Sequence, residues 1–242
     1  MCTPMSAYGR RPEAVEALLV VDVQTAFVSG GGAVPGAARL LDRTADLLTR
    51  ARRSGALVVH LQNDGPPGEA DEPHTPGWEL HLPVEPGPRE VVIRKTEDDG
   101  FEGTPLGPLL TDAGVRALAV CGVVSEMCVL ATARRALALG YRVILPHDAH
   151  ATYDIPAAEG ISDTVPAAMA SRVAEWALGD GAEIPAHATG VVFGPPARQL
   201  VGRGPERIHA GPRNSRSRKY YHHPLGRFGH FLMDSGRGAK GR

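Results

Sequence analysis

The sequence predicts an α/β fold, a mainly parallel sheet with helices on both faces. Three observations carry that expectation. Short Val- and Leu-rich runs of strand length alternate along the chain with segments of helical spacing. The runs are apolar at successive positions, as strands covered on both sides require. Asp22, Lys95 and Cys128 each fall at or just past the end of such a run, the edge at which open α/β sheets bind ligands.

Residues 1–12 read as a loose lead-in. Residues 17–24 form the first strand, with Asp22 as a carboxylate at its apolar end. Gln24 and Phe27 just beyond it are candidate substrate contacts. Residues 35–54 have helical spacing, with Leu40, Leu41, Ala45, Leu47, Leu48 and Ala51 as the buried stripe and Gly55 as the stop. The second strand follows at 56–61. A loop rich in Pro, Gly and acids spans 62–89, and loops that long are usually functional or disordered. Its Trp78 and His81 read equally well as a pocket wall and as packing anchors.

The third strand, 90–95, ends on Lys95. Thr104 and Pro105 suit the N-cap and first position of a short helix. Residues 115–122 are the central strand, closed by Gly122, and the helix after it ends at Gly140. Cys128 falls at their junction, in the first helical turn, where free backbone N–H groups and the helix dipole favour a thiolate. That is one way to build a nucleophile. A Cys in apolar company is also commonly a small buried hydrophobe, which suits Cys121 in the strand. Residues 141–145 are a fifth strand, with His147 to His150 at its end. Residues 162–178 read as a helix stopped by Gly179, and 188–193 as a last short strand. Right-handed crossovers gather the strands' carboxyl ends at one edge, and Asp22, Lys95 and Cys128 with them.

Composition narrows the class. Hydrophobic residues make up 43% of 242, ample for a core. Cys2, Cys121 and Cys128 form no disulfide framework and no Cys-x-x-Cys pair, which points to a reducing, cytoplasmic setting. No apolar run has membrane-spanning length, and no secretory signal is expected. From Arg198 on there are 11 Lys and Arg against 2 acids, behind an acidic body. The stretch 194–242 is expected to be a flexible basic tail on a domain spanning 1–193. Its Tyr220 to His223 cluster suits stacking on bases. No nucleic-acid-binding motif accompanies it, so no nucleic-acid partner is expected.

Four stretches taken together resemble the isochorismatase-like cysteine hydrolases. They are Leu19-Val20-Val21-Asp22-Val23-Gln24, the Lys95 strand end, Phe101-Glu102-Gly103-Thr104-Pro105-Leu106, and Gly122-Val123-Val124-Ser125-Glu126-Met127-Cys128-Val129. The resemblance implies a six-stranded sheet and a triad: Asp22 as general base, Lys95 as its charge partner and Cys128 as nucleophile. It further implies a non-proline cis peptide between Val123 and Val124, an oxyanion hole from the N–H groups of Val124 and Cys128, and a homodimer or homotetramer.

The departures matter as well. Metal-binding members carry Asp-x-His after the second strand, where this chain reads His60-Leu61-Gln62-Asn63-Asp64. No metal and no cofactor are therefore expected, and Asn63 and Asp64 become candidate pocket residues. Glu102 puts an acid in the Phe-x-Gly-Thr motif, and the long loop adds Glu69, Asp71, Glu72 and Glu79. An acidic entrance favours a cationic substrate. Residues 155–163 and 176–180 look like one subgroup, the streptothricin hydrolases, which open a lactam amide. The expected activity is metal-independent cleavage of a small cationic amide or lactam through a thioester. The alternatives are a carbamoyl-, ureido- or nicotinamide hydrolase and a non-catalytic binding protein that keeps the fold.

Overall fold

The computed structural model describes residues 13–85 and 87–198. The lead-in 1–12 and the basic stretch from 199 onward, with its Tyr-His cluster, lie outside the described residues. The strands are β1 Ala17–Val21, β2 Leu57–Asn63, β3 Glu90–Lys95, β4 Ala117–Val123, β5 Arg142–Ile144, β6 His150–Ala151 and β7 Ala182–Glu183. The helices are a single turn α1 Thr25–Val28, then α2 Ala37–Ser54, α3 Leu106–Ala113, α4 Leu130–Ala138 and α5 Ala167–Trp176.

Six strands lie in the order β3-β2-β1-β4-β5-β7, and β6 pairs with the end of β4. Every pairing is parallel. Two apolar layers result. Leu18 and Val20 of β1 face one side, with Leu40, Leu47, Leu48 and Ala51 of α2. Ala17, Leu19 and Val21 face the other, with Leu106, Leu109 and Leu110 of α3 and Ala133 and Ala136 of α4. Alternate residues of one strand thus feed opposite cores, which is why β1 is apolar at every position. No described helix is long and apolar enough to cross a membrane.

Several sequence expectations change. The first strand stops at Val21, not at residue 24. In α2, Thr44 is buried and Ala45 is exposed. The stripe runs Leu40, Thr44, Leu47 and Ala51 at spacings of three and four, and Ala45 is turned about 100° away from Thr44. The helix expected from 162 begins only at Ala167. Pro166 keeps the preceding residue extended, and residues 155–165 instead form a small hairpin joined at Ile155–Val165 and Ala158–Ser162. The last strand is β7; residues Ala188–Gly190 form a helical turn, and Phe193 makes only an isolated bridge to Val15. A two-residue strand carries no readable periodicity. The backbone of residues 194–198 still bonds to the body, Gly194 to Val15 and Arg198 to Ala113.

Candidate active site

The chain runs outward through β1, β2 and β3 and returns as β4 on the other side of β1. Such a reversal of strand order opens a crevice at the carboxyl ends of the two central strands. Val21 is level with both Leu61 and Gly122, so Asp22 leaves β1 at that crevice. Asp22 has a positive φ of 49°, a conformation Asp tolerates better than most residues. Its N–H donates to Leu61 O at 3.0 Å, and the Gln24 N–H returns to Asp22 O at 2.7 Å. This tight turn sets the carboxylate over the end of the sheet.

Gly122 makes the close approach possible. Its φ is 125°, and a Cβ there would lie 2.0 Å from Val21 O. Gly122→Ala is therefore expected to destabilise the protein by about 3 kcal/mol and to displace Asp22. Urea unfolding with an activity assay checks this; a near-wild-type midpoint would contradict it.

Lys95 ends β3, beside Asn63 of β2. Its side chain passes the end of β2 to reach Asp22, fully buried at 0% exposure. Nζ lies 2.7 Å from Asp22 Oδ2, 3.4 Å from Asn63 Oδ1, 3.2 Å from Glu97 O and 3.4 Å from Cys128 Sγ. Cys128 sits in a wide turn, Ser125–Val129, whose N–H groups reach five residues back, Val129 to Val124 and Leu130 to Ser125. The peptide between Val123 and Val124 is cis. Cys128 is half-buried, and its thiol donates to Asp98 Oδ1 at 3.5 Å.

The charges compete. Burial raises the pKa of Asp22, and the Lys95 ammonium opposes that rise. Burial would lower Lys95, but the Asp22 carboxylate and the Cys128 sulfur outweigh it, so Lys95 is raised and stays protonated. Burial and the Asp22 charge push the Cys128 thiol well up, against Lys95. The resting arrangement is a neutral thiol beside an ammonium–carboxylate pair. Cys121, buried in β4, is pushed up to about 12.

A second polar group supports the turn from behind. Ser125 Oγ, buried, lies 2.8 Å from His150 Nδ1 and 2.9 Å from Ser171 Oγ. His150 Nε2 lies 3.0 Å from Glu175 Oε1, and His147 Nδ1 is 2.5 Å from the same oxygen. Among the described residues, His147, His150 and Glu175 are the one group of at least three metal-ligating side chains with donor atoms within 4.8 Å of one another. Here Glu175 Oε1 bridges the two rings and Arg172 holds Oε2 at 3.2 Å, so both carboxylate oxygens have protein partners.

The structure brings Asp22, Lys95, Cys128 and Asn63 together; the other expected contacts divide. Gln24 is buried, and its amide is spent on the backbone of Asn63 and Trp78. Phe27 packs on the core. Trp78 is a buried anchor, with Nε1 donating to Asp64 Oδ1 at 2.9 Å and Arg94 stacked 5.0 Å from its ring. Asp64 is held by Arg94 at 2.7 Å. His81 is exposed, 3.3 Å from Thr25 Oγ1, and Glu102 is exposed. The long loop is tied to residues 23–26 through Glu79, Gly77 and His81, and Asn63 donates to its buried Asp71 at 2.6 Å. Sequence reading missed Asp98 and the Ser125–His150–Glu175 support. The acidic run after Lys95 was the available signal for the first; no spacing joins the members of the second. Two surface hollows elsewhere, at Gly114–Arg116 with Tyr141 and at Val15 with Arg142, are lined by none of Asp22, Lys95 and Cys128.

Residues 16–175 match the isochorismatase domain model. A Streptomyces noursei protein named streptothricin hydrolase is 72% identical over 200 residues, covering 83% of this chain and 79% of that one. A second protein of that name from the same organism is 76% identical over 179 residues, 74% of this chain and 65% of its own. The solved structure of an isochorismatase from Pseudomonas putida superposes with a TM-score of 0.66 at 30% identity, over 73% of this chain and 90% of that one. Matched span, superposition and relatives agree: the chain belongs to the isochorismatase domain family of hydrolases.

Proposed function

We propose that the chain is a cysteine amidohydrolase with Asp22, Lys95 and Cys128 as its triad, and that it opens the lactam amide of streptothricin-type antibiotics. The observation that carries the chemistry is one buried ammonium 2.7 Å from a carboxylate and 3.4 Å from a half-buried thiol. The substrate rests on the names of the two Streptomyces noursei relatives.

Asp22 takes the thiol proton, and the sulfur forms a bond to the amide carbon as the carbonyl electron pair moves to oxygen. Backbone N–H groups of Val124 and Cys128 hold that oxyanion, each such donor being worth about 3–4 kcal/mol. The intermediate collapses, the C–N bond breaks, and Asp22 passes its proton to the leaving amine. Water then gives a proton to Asp22 and attacks the thioester carbon; the C–S bond breaks and the sulfur regains a proton. Lys95 keeps its proton throughout and holds the Asp22 carboxylate in place.

The test is incubation of the pure protein with a streptothricin, nicotinamide and ureidoacrylate, read by mass. Gain of one water by the streptothricin alone is expected. An intact streptothricin beside a consumed competitor would replace the substrate.

Three further parts belong to this reading. The substrate is cationic, met by the acids around the entrance. The protein works in the reducing cytoplasm, where a catalytic thiol persists, and residues 1–193 carry the chemistry without the basic stretch 194–242. It is a homo-oligomer through the outer face of α5, where Met169, Val173 and Trp176 are 58%, 62% and 77% exposed. These positions share one helix stripe, and an unpartnered apolar stripe favours association. Val173→Glu is expected to lower the mass measured by light scattering; a wild-type monomer would refute the assembly.

A further inference from the structure

We propose that Asp98 is a specificity-determining residue: its carboxylate receives an ammonium or guanidinium group of the substrate, and that pairing frees the Cys128 thiol to react. The inference rests on the cationic-substrate reading above and concerns a residue that reading leaves without a role.

Asp98 is held in place by its backbone. Thr132 of α4, buried, accepts the Gly100 N–H at 3.0 Å and donates to Asp98 O at 3.4 Å. Lys95 Nζ donates to Glu97 O at 3.2 Å. Asp99 accepts the Phe101 N–H at 2.9 Å and pairs with Arg135 at 3.3 Å. A Cβ on Gly100 would lie 2.4 Å from Leu61 Cδ1, so the turn is packed onto the sheet. Asp99 is neutralised by Arg135, whereas the neighbouring Asp98 is exposed and has no ion pair among the described residues. Its Oδ1 instead sits 3.5 Å from the sulfur.

For a nucleophilic thiol this is a poor neighbour. The charged groups acting on Cys128 are Asp22, Lys95 and Asp98, two carboxylates to one ammonium. A thiolate would add a third negative charge. Lys95 has no donor to spare: its three N–H bonds already face Asp22 Oδ2, Asn63 Oδ1, Glu97 O and Cys128 Sγ. Asp22 Oδ1 is buried with no hydrogen-bond partner among the described residues. The pocket is thus rich in acceptors and short of donors. A cationic N–H group on the ligand supplies what is missing and cancels the charge that opposes the thiolate. Substrate binding and activation of the sulfur become one event, and neutral amides gain no such help.

The experiment compares modification of Cys128 in the full chain by neutral iodoacetamide, which forms a thioether and releases iodide, and by cationic aminoethyl methanethiosulfonate, which forms a mixed disulfide and releases methanesulfinate, read without reduction at the Cys128 peptide by mass spectrometry so that Cys2 and Cys121 do not interfere. Asp98→Asn is expected to speed the neutral reagent and to lower the cationic-to-neutral rate ratio about fivefold, the upper range for one exposed charge pair. Asp98→Glu, which keeps the charge, should keep the ratio near wild type, and Asp112→Asn on α3 should not move it. An unchanged ratio in Asp98→Asn, or both rates falling together, would overturn the proposal. If the wild type leaves streptothricin intact while the ratio still shifts, the substrate assignment fails and the role of Asp98 stands. If streptothricin is hydrolysed equally well by wild type and Asp98→Asn, the reverse holds.

Discussion

Cys128→Ala will lower turnover by about 10⁴-fold or more, because removing the nucleophile of a covalent mechanism leaves only binding and oxyanion stabilisation. No other group in the described structure can take over. Cys121 is sealed in β4 with its thiol pushed up to about 12. Ser125, three positions earlier, is buried behind the turn and engaged by His150 and Ser171. The fold should persist, because Cys128 is only half-buried and truncating one sulfur there costs about 1 kcal/mol. The measurement pairs product formation by mass with a thermal melt. Activity within about tenfold of wild type would remove the covalent mechanism.

Lys95→Met will damage stability and activity together. Lys95 is the only cation in contact with Asp22 among the described residues, and both are buried. Removing one partner of a buried pair leaves an uncompensated charge and costs about 3–5 kcal/mol. The sign of the pH effect follows from protons bound. In the wild type, Lys95 is raised above its ordinary 10.5. Its contribution is complete below that value and is lost only as pH rises through the higher folded value. In the variant, the force opposing the burial of Asp22 is gone, so its carboxyl rises further above 3.8. The folded variant then holds a proton that the unfolded chain has released, and its stability falls as pH rises through that window. Urea midpoints at about pH 5 and about pH 8 should therefore separate the variant from wild type more at the higher pH. A deficit independent of pH would mean that lost packing, and not an uncompensated buried charge, explains the damage. Where the carboxyl does hold its proton, catalysis fails as well, because a protonated Asp22 accepts nothing from the thiol.

Much of the architecture was legible because a parallel sheet leaves a strong local trace. Strands buried on both faces favour apolar residues at successive positions, and β1 and β4 carry no charged or amide side chain. Asp22 follows the end of one such run, Lys95 ends another, and Cys128 lies in the turn after a third, which is why the three stand out. Weak traces misled. The hairpin at 155–165 and the two-residue β7 have no period, and Pro166 outweighed the helical look of the residues before it. Trp78 was undecidable in sequence because a buried anchor and a pocket wall need the same ring; the partner at its Nε1, Asp64, decides between them.

By itself the sequence determined the strand and helix alternation, the edge where chemistry can occur and the three side chains placed there, since all of these follow from local patterns of apolar and charged residues. Only the tertiary structure decided which groups share an electric field. Lys95 reaches Asp22 across the intervening strand β2, Asp98 faces the sulfur, and Glu175 supports the turn that carries Cys128 through His150 and Ser125. Those contacts join residues from 25 to 73 positions apart, and Coulomb forces depend on distance in space, which chain order does not encode.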